Sequence, residues 1–329
     1  MTLTDKPIPT PTRWHILGAG AMGCLWACAM HSRSVPEAHT GAPVTLLLRN
    51  RAALSSYPGH ITCSDLPQSL NVPARTVCHD SGTTTDVINN LLVATKAQDT
   101  MAAIASVSSQ LAPDSRLVLL QNGLKVQQEL SRLYGTARVF CLSTSQGAWL
   151  REPFNVVHAG DGDTWLGQLA PASAETPAPL QRLLDMLPAQ QLNIRIDNNI
   201  GDRLWRKLAI NCAINALTVI HDCRNGELLH LPDARQTLTA LCNEISQLLP
   251  EIAGAPAMPD LSAQVQHVLT VTADNVSSTL QDIRRGRATE IDHLNGYLCN
   301  LAAQQHLPCP VNQSVLQQMR VIESQALRA

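Results

Sequence analysis

The chain has 329 residues, with 24 basic and 26 acidic side chains for a formal net charge of −2. That balance gives no electrostatic case for nucleic acid or an anionic membrane surface as partner, and no window reaches the roughly 18 uninterrupted apolar residues of a membrane span. Ten cysteines without paired CxxC clusters, and no apolar leader, predict reduced thiols in a soluble, cytoplasmic protein with no bound metal.

The length exceeds what one hydrophobic core supports, so two domains are expected. Residues 1–12 carry Pro7, Pro9 and Pro11 among polar residues and read as a mobile extension. From Trp14 the pattern runs strand, glycine-rich turn, apolar helix Ala21 to Ser32, polar loop 34–43, and a second strand Val44 to Leu48, which is a βαβ unit. Short apolar runs at Leu91 to Thr95 and Arg116 to Leu120 have the length of buried parallel strands and alternate with helical segments such as Thr100 to Leu111. A polar turn at Gly160 to Asp163 predicts a hairpin within Phe154 to Leu166, and 170–179 reads as a loop. After Asn198 the pattern becomes helical: Asp202 to Ile220, Leu231 to Leu249, Leu261 to Asp282 and Glu290 to Gln305. The expected fold class is an N-terminal α/β Rossmann-type doubly wound sheet (13–197, cofactor-binding) followed by an all-α C-terminal domain (198–329, substrate-binding and catalytic).

Gly18-Ala19-Gly20-Ala21-Met22-Gly23 follows a strand and opens a helix, the setting in which GxGxxG binds a dinucleotide. The first glycine permits the tight turn, the second admits the pyrophosphate to the backbone, and the third packs helix on strand. NAD enzymes place a carboxylate after the second strand; here that strand ends in Arg49-Asn50-Arg51, whose guanidinium groups suit the 2′-phosphate of NADP. Lys96 and Asn122 follow later strands, where ligands of doubly wound sheets bind. Each also has a plain reading, as a helix-start residue and as a turn respectively.

Only four basic residues are lysines: Lys6, Lys96, Lys125 and Lys207. Arginine is the default cation here, so a lysine in an apolar segment calls for a chemical reason. Lys207 lies in such a segment, spaced i, i+4, i+8 with Asn211 and Asn215. At about 40° per four-residue step the three form one stripe roughly 80° wide. A solvated face is one explanation; a cleft face fits better, because asparagine is a poor helix former. Thr289-Glu290-Ile291-Asp292 has the form of a capping box, with Glu290 at the first helical position as a fixed hydrogen-bond acceptor.

Taken together, Gly18 to Gly23, Lys96, Gln121-Asn122-Gly123, Lys207 to Thr218, Asn225-Gly226-Glu227-Leu228, Ser277 to Asp282 and Thr289 to Gly296 resemble the ketopantoate reductase (2-dehydropantoate 2-reductase) family over nearly the whole chain. The resemblance implies NADPH on a Rossmann domain, ketopantoate as substrate, and reduction to pantoate in pantothenate biosynthesis. It further implies Lys207 as the catalytic lysine with Glu290 as the family's carboxylate. Asn122, Asn211, Asn215, Asn225 and Ser278 become substrate-binding residues, and Gly18 to Gly23, Arg49, Lys96, Asn122 and Glu290 bind NADP(H). The partner expected is a small-molecule 2-keto acid, with a homodimer left open. Two positions depart from the family pattern: Gln146, where histidine is common, and Lys125, where a second glycine is common. The alternatives are a reductase of another branched 2-keto acid and a non-catalytic NADP(H) sensor.

Overall fold

A computed structural model of the chain describes residues 13–32, 44–77, 87–169 and 177–328. The extension 1–12 with Lys6, the loop 34–43 and most of the loop 170–179 lie outside these residues. The chain divides into two compact units. One holds most of the sequence up to Ile200; the other holds Gly201 onward together with Lys96–Gln98 and Asn122–Gln128.

The first unit carries β1 (Trp14–Leu17), α1 (Ala21–Ser32), β2 (Val44–Leu48), α2 (Arg51–Ser55), β3 (His60–Cys63), β4 (Leu70–Asn71), β5 (Ala74–Thr76) and β6 (Ile88–Val93). There follow α3 (Ala97–Val107), β7 (Leu111–Leu119), α4 (Lys125–Tyr134), β8 (Val139–Thr144), β9 (Gly147–Glu152), β10 (Asn155–Gly160), β11 (Thr164–Gly167), α5 (Ala178–Met186) and β12 (Ile194–Ile196), the two helices α3 and α4 beginning in the segments that belong to the second unit. The main sheet has the order β12-β11-β8-β7-β6-β1-β2-β5. Its neighbours are parallel except where β11 meets β8. From β1 the chain passes to β2 on one side and later to β6 on the other, so the ends of β1 and β6 form the switch point at which such sheets bind ligands. Strands covered on both faces need continuous apolar sequence. All four residues of β1 and most of β2 and β6 are accordingly buried.

A smaller sheet, β4-β3-β10-β9, packs into the same core. The predicted hairpin is displaced. β10 pairs antiparallel with β9 through a turn containing Phe154 at φ 63°, whereas β11 pairs with β8 in the main sheet. Gly160 to Asp163 therefore links two sheets rather than two strands of one. The strained backbone of Phe154 is offset by burial of its ring against Tyr57, 4.7 Å between centroids.

The second unit contains α6 (Ile200–Ile220, its first residue contributed by the other unit), α7 (Pro232–Leu248), α8 (Leu261–Val271), α9 (Ser278–Arg284), α10 (Asn295–Gln304) and α11 (Pro310–Ala326). The spacing predicts one helix over 261–282, but the structure breaks it after Val271. Carbonyls of Ala273 and Asn275 accept from the N–H groups of Gly226 and Asn225, and the Ser277 side chain caps α9 through the Leu280 N–H. The predicted capping box also fails. Glu290 precedes a single 3₁₀ turn, Ile291–His293, and α10 starts only at Asn295. Asp292 turns instead to Arg320, at 2.6 Å. α11 carries no sequence expectation, and its Pro310 stands at the first helical position, where proline is tolerated. Among the described residues no helix is long and apolar enough to cross a membrane.

Candidate active site

The glycine turn occupies the switch point of the first unit. Gly18 has φ +104°, and a Cβ there would meet the Ala94 and Thr95 backbone at 2.9 Å. A Cβ on Gly23 would collide with the Gly18 carbonyl, whereas one on Gly20 would meet nothing within 4 Å. The outer glycines are therefore required by packing against strand ends, and the middle one leaves open space in front of α1. That arrangement fits a phosphate approaching a helix N-terminus. Ala19, Ala21 and Met22 complete the turn and stay half-buried. The exposed Arg49 follows β2, and Asn50 caps α2 by accepting from the Ala53 N–H at 2.8 Å, which puts the exposed Arg51 at the first helical position. No carboxylate stands in this segment.

In the second unit two of the candidate residues, Asn122 and Lys207, are linked to Glu290. Its Oε1 accepts from the backbone N–H of Ala97, the first residue of α3, at 2.8 Å, and its Oε2 accepts from Asn122 Nδ2 at 3.1 Å. The helix terminus that serves this carboxylate is thus that of α3, not one opened by Glu290 itself. Gly123 holds the loop close: at φ +86° its Cβ would lie 2.9 Å from the His293 carbonyl. Lys96 donates to the Ala288 carbonyl at 2.8 Å and pairs with Asp282 at 2.7 Å. Burial pushes the Asp282 carboxyl up, and Lys96 works in the opposite direction. Asp282 stands out only in the structure, since in sequence it is one acid among arginines near a helix end.

The stripe on α6 is not a solvated face. Asn215 is buried, Lys207 and Asn211 are half-buried, and Arg206 alone on this helix is exposed. Burial lowers the Lys207 ammonium from the ordinary lysine range to about 8, against the opposing pull of Glu290. Asn215 is tied onward by its carbonyl, which accepts from Thr218; the Thr218 hydroxyl lies 2.7 Å from that of Ser277, beside Ser278. Ser278 itself is exposed at the start of α9. Asn225 is buried, its Nδ2 donating to Thr272 at 2.9 Å while its Oδ1 finds no donor among the described residues.

Gln146, the first departure, belongs to the first unit. Its amide nitrogen donates to the carbonyls of Gly162 and of Leu192, the latter at 3.2 Å, and its oxygen meets His158 Nε2 at 2.8 Å. His158 Nδ1 in turn faces Asp65 at 2.5 Å. Glutamine here joins two loops to the small sheet. Lys125, the second departure, opens α4.

The family model of ketopantoate reductase PanE/ApbA matches residues 14–171, and its C-terminal companion matches 199–323. The chain belongs to the ketopantoate reductase family. A 2-dehydropantoate 2-reductase of Salmonella typhimurium strain LT2 is 33% identical over 327 residues, covering 95% of this chain and 96% of that protein. A 2-dehydropantoate 2-reductase of Archaeoglobus fulgidus is 28% identical and covers 95% and 98%. Among solved structures, a PanE/ApbA family ketopantoate reductase from Ralstonia eutropha has a TM-score of 0.79 at 23% identity, covering 96% of this chain and 99% of that one. D-mandelate dehydrogenase in complex with NADH and anilino(oxo)acetate has a TM-score of 0.82 at 20% identity, with coverage of 96% and 99%. These two likenesses are of fold. The expected fold class and family are the ones found.

Because the Glu290 charge raises the Lys207 pKa while burial lowers it, Glu290→Gln moves the titration of Lys207 below about 8. Competitive acetylation of the amine across pH, read by peptide mass spectrometry, is expected to show its half-point displaced to lower pH. An unchanged or higher half-point contradicts the coupling.

Proposed function

We propose that the chain reduces 2-dehydropantoate (ketopantoate) to pantoate with NADPH, residues 13–197 binding the cofactor and 198–329 the substrate. The observation that carries this reading is a lysine on a largely buried helix whose ammonium titrates near 8 and feels the charge of Glu290. A 2-keto acid that accepts hydride develops negative charge on oxygen and needs a cation and a proton there. Lys207 supplies both. An ordinary lysine is a reluctant acid near neutrality; one held at about 8 is still largely protonated at pH 7 and releases its proton more readily.

NADPH, when bound, supplies the hydride. The backbone of Gly18, Ala19, Gly20, Ala21, Met22 and Gly23 holds its pyrophosphate, and Arg49 its 2′-phosphate. Lys96, held by Asp282 and the Ala288 carbonyl, and Asn122, held by Glu290, serve the cofactor, Asn122 meeting the substrate as well. Glu290 accepts from the substrate hydroxyl, Asn211 and Asn215 orient the carbonyl and hydroxyl, and Ser278 meets the carboxylate. Asn225 has a buried oxygen that lacks a donor, an unmet acceptor that a substrate hydroxyl satisfies.

Two experiments test this reading. Lys207→Ala is expected to lower the rate of NADPH oxidation with ketopantoate by about 10² to 10⁴-fold while leaving NADPH affinity nearly intact. Lys207→Arg keeps the charge without a releasable proton, so near-native turnover of the Arg variant reduces the role to electrostatics. A collapse of NADPH affinity in the Ala variant makes Lys207 a cofactor residue instead. For the cofactor, Arg49→Ala with Arg51→Ala is expected to cost about 1.5–3 kcal/mol of NADPH binding and nothing of NADH binding. An unchanged preference removes the arginines from that role.

A further inference from the structure

Nine cysteines of the described residues are free and buried. Most are inert by position: Cys24 and Cys141 are pushed up to about 12, chiefly by burial. Cys63 differs, lowered to about 6 chiefly by a hydrogen bond with Cys28, and so do Cys299 on α10 and Cys309, immediately before α11. The last two are ten residues apart with no motif spacing between them, yet the packing of α10 on α11 brings their sulfurs to 3.7 Å, close to van der Waals contact.

A third group gives the pair a direction. Cys309 Sγ lies 3.5 Å from Glu244 Oε1 on α7, and that carboxylate also accepts from the N–H groups of Val311 and Asn312 at 2.7 and 2.8 Å. Glu244 is therefore fixed in place beside the Cys309 thiol, an acceptor that competes with the Cys299 sulfur for its one proton. The hydrogen bond between the two sulfurs, and then burial, hold the Cys309 thiol above its ordinary range. The same hydrogen bond holds Cys299 below it. Cys299 also keeps more exposure, 7% against 2% for Cys309.

We propose that Cys299 and Cys309 form a thiol oxidation site that closes to a disulfide with a hydroperoxide as oxidant, Cys299 reacting first and Cys309 resolving. With hydrogen peroxide, the Cys299 thiolate attacks one peroxide oxygen, the O–O bond breaks, and hydroxide leaves and takes up a proton, giving a sulfenic acid and one water. The Cys309 sulfur then attacks the Cys299 sulfur, the S–O bond breaks, and the leaving hydroxide takes the Cys309 proton by way of Glu244 as a second water. Two thiols are oxidised by two electrons, and one peroxide is reduced to two waters. Cys299 on α10, Cys309 ahead of α11 and Glu244 on α7 are brought together by the packing of these helices, so the three-group site belongs to the folded chain. This proposal does not depend on the substrate assignment.

The test uses the full, reduced, desalted protein exposed to hydrogen peroxide under native conditions, followed by alkylation and peptide mapping without reductant. The expected product has lost about two mass units, the mass of two hydrogens. It carries a 299–309 cross-link that dithiothreitol reverses, while Cys141 remains an alkylatable thiol. In Cys309→Ser, which keeps a hydroxyl donor for Glu244, the expected product is Cys299 with an added oxygen trapped by dimedone. In Cys299→Ser, Cys309 is expected to stay reduced. A protein that gains oxygen without the cross-link, cross-links only elsewhere, or is unchanged when its denatured form oxidises readily overturns the proposal.

Discussion

The carboxylate of Glu290 is the interaction on which the second unit's polar chemistry depends. Its two oxygens are used by separate chain segments, one by the N–H that opens α3 and one by Asn122 beyond β7, and its charge acts on Lys207 of α6. Removing it would leave an amide and a backbone N–H short of an acceptor and an ammonium short of a counter-charge, each carrying a cost in these half-buried surroundings. Fixing Asn122 and shaping the acidity of Lys207 are thus two consequences of one placement. Gly123 protects that placement, because any side chain there would press on the His293 carbonyl.

Much of this was legible in sequence for identifiable reasons. Strands buried on both faces are largely apolar, so β1 and β2 read as short apolar runs broken only by His15 and Thr45, and GxGxxG between strand and helix signals a tight turn against a neighbouring strand. The scarcity of lysine made Lys207 conspicuous, and its spacing from Asn211 and Asn215 exposed the stripe. What stayed hidden depended on distant partners. Asp292 resembled a helix cap because its arginine, Arg320, is 28 residues away. The break after Val271 is stabilised by backbone pairing with Asn225 and Gly226, which no local pattern signals. The turn at Phe154 carries a positive φ on a residue that rarely adopts one, and its cause is burial rather than turn propensity.

The same limit applies to the polar core of the helical unit. Glu244 receives the Asn312 amide at 2.8 Å, Asn312 Oδ1 accepts from Asn295 at 2.9 Å, and that Asn295 amide also donates to the Cys212 carbonyl of α6 at 2.9 Å. Both asparagines are fully buried. Burying such groups is costly unless their hydrogen bonds are met; here both amide nitrogens are used, whereas Asn295 Oδ1 finds no donor among the described residues. The carbonyl they reach is that of Cys212, the residue after Asn211 on α6, so the network ties the helix that carries the stripe to α10 and α11. Stability and placement of the candidate site share these residues.

The central claim is that burial holds Lys207 near 8 and that this lysine delivers the proton accompanying hydride transfer. The most direct measurement is the pH dependence of NADPH oxidation in a single turnover, with enzyme in excess of ketopantoate. The account predicts a rate that is level below neutrality and falls above about pH 8, tenfold for each further unit as the donor loses its proton. A rate that stays level to pH 10 would contradict it.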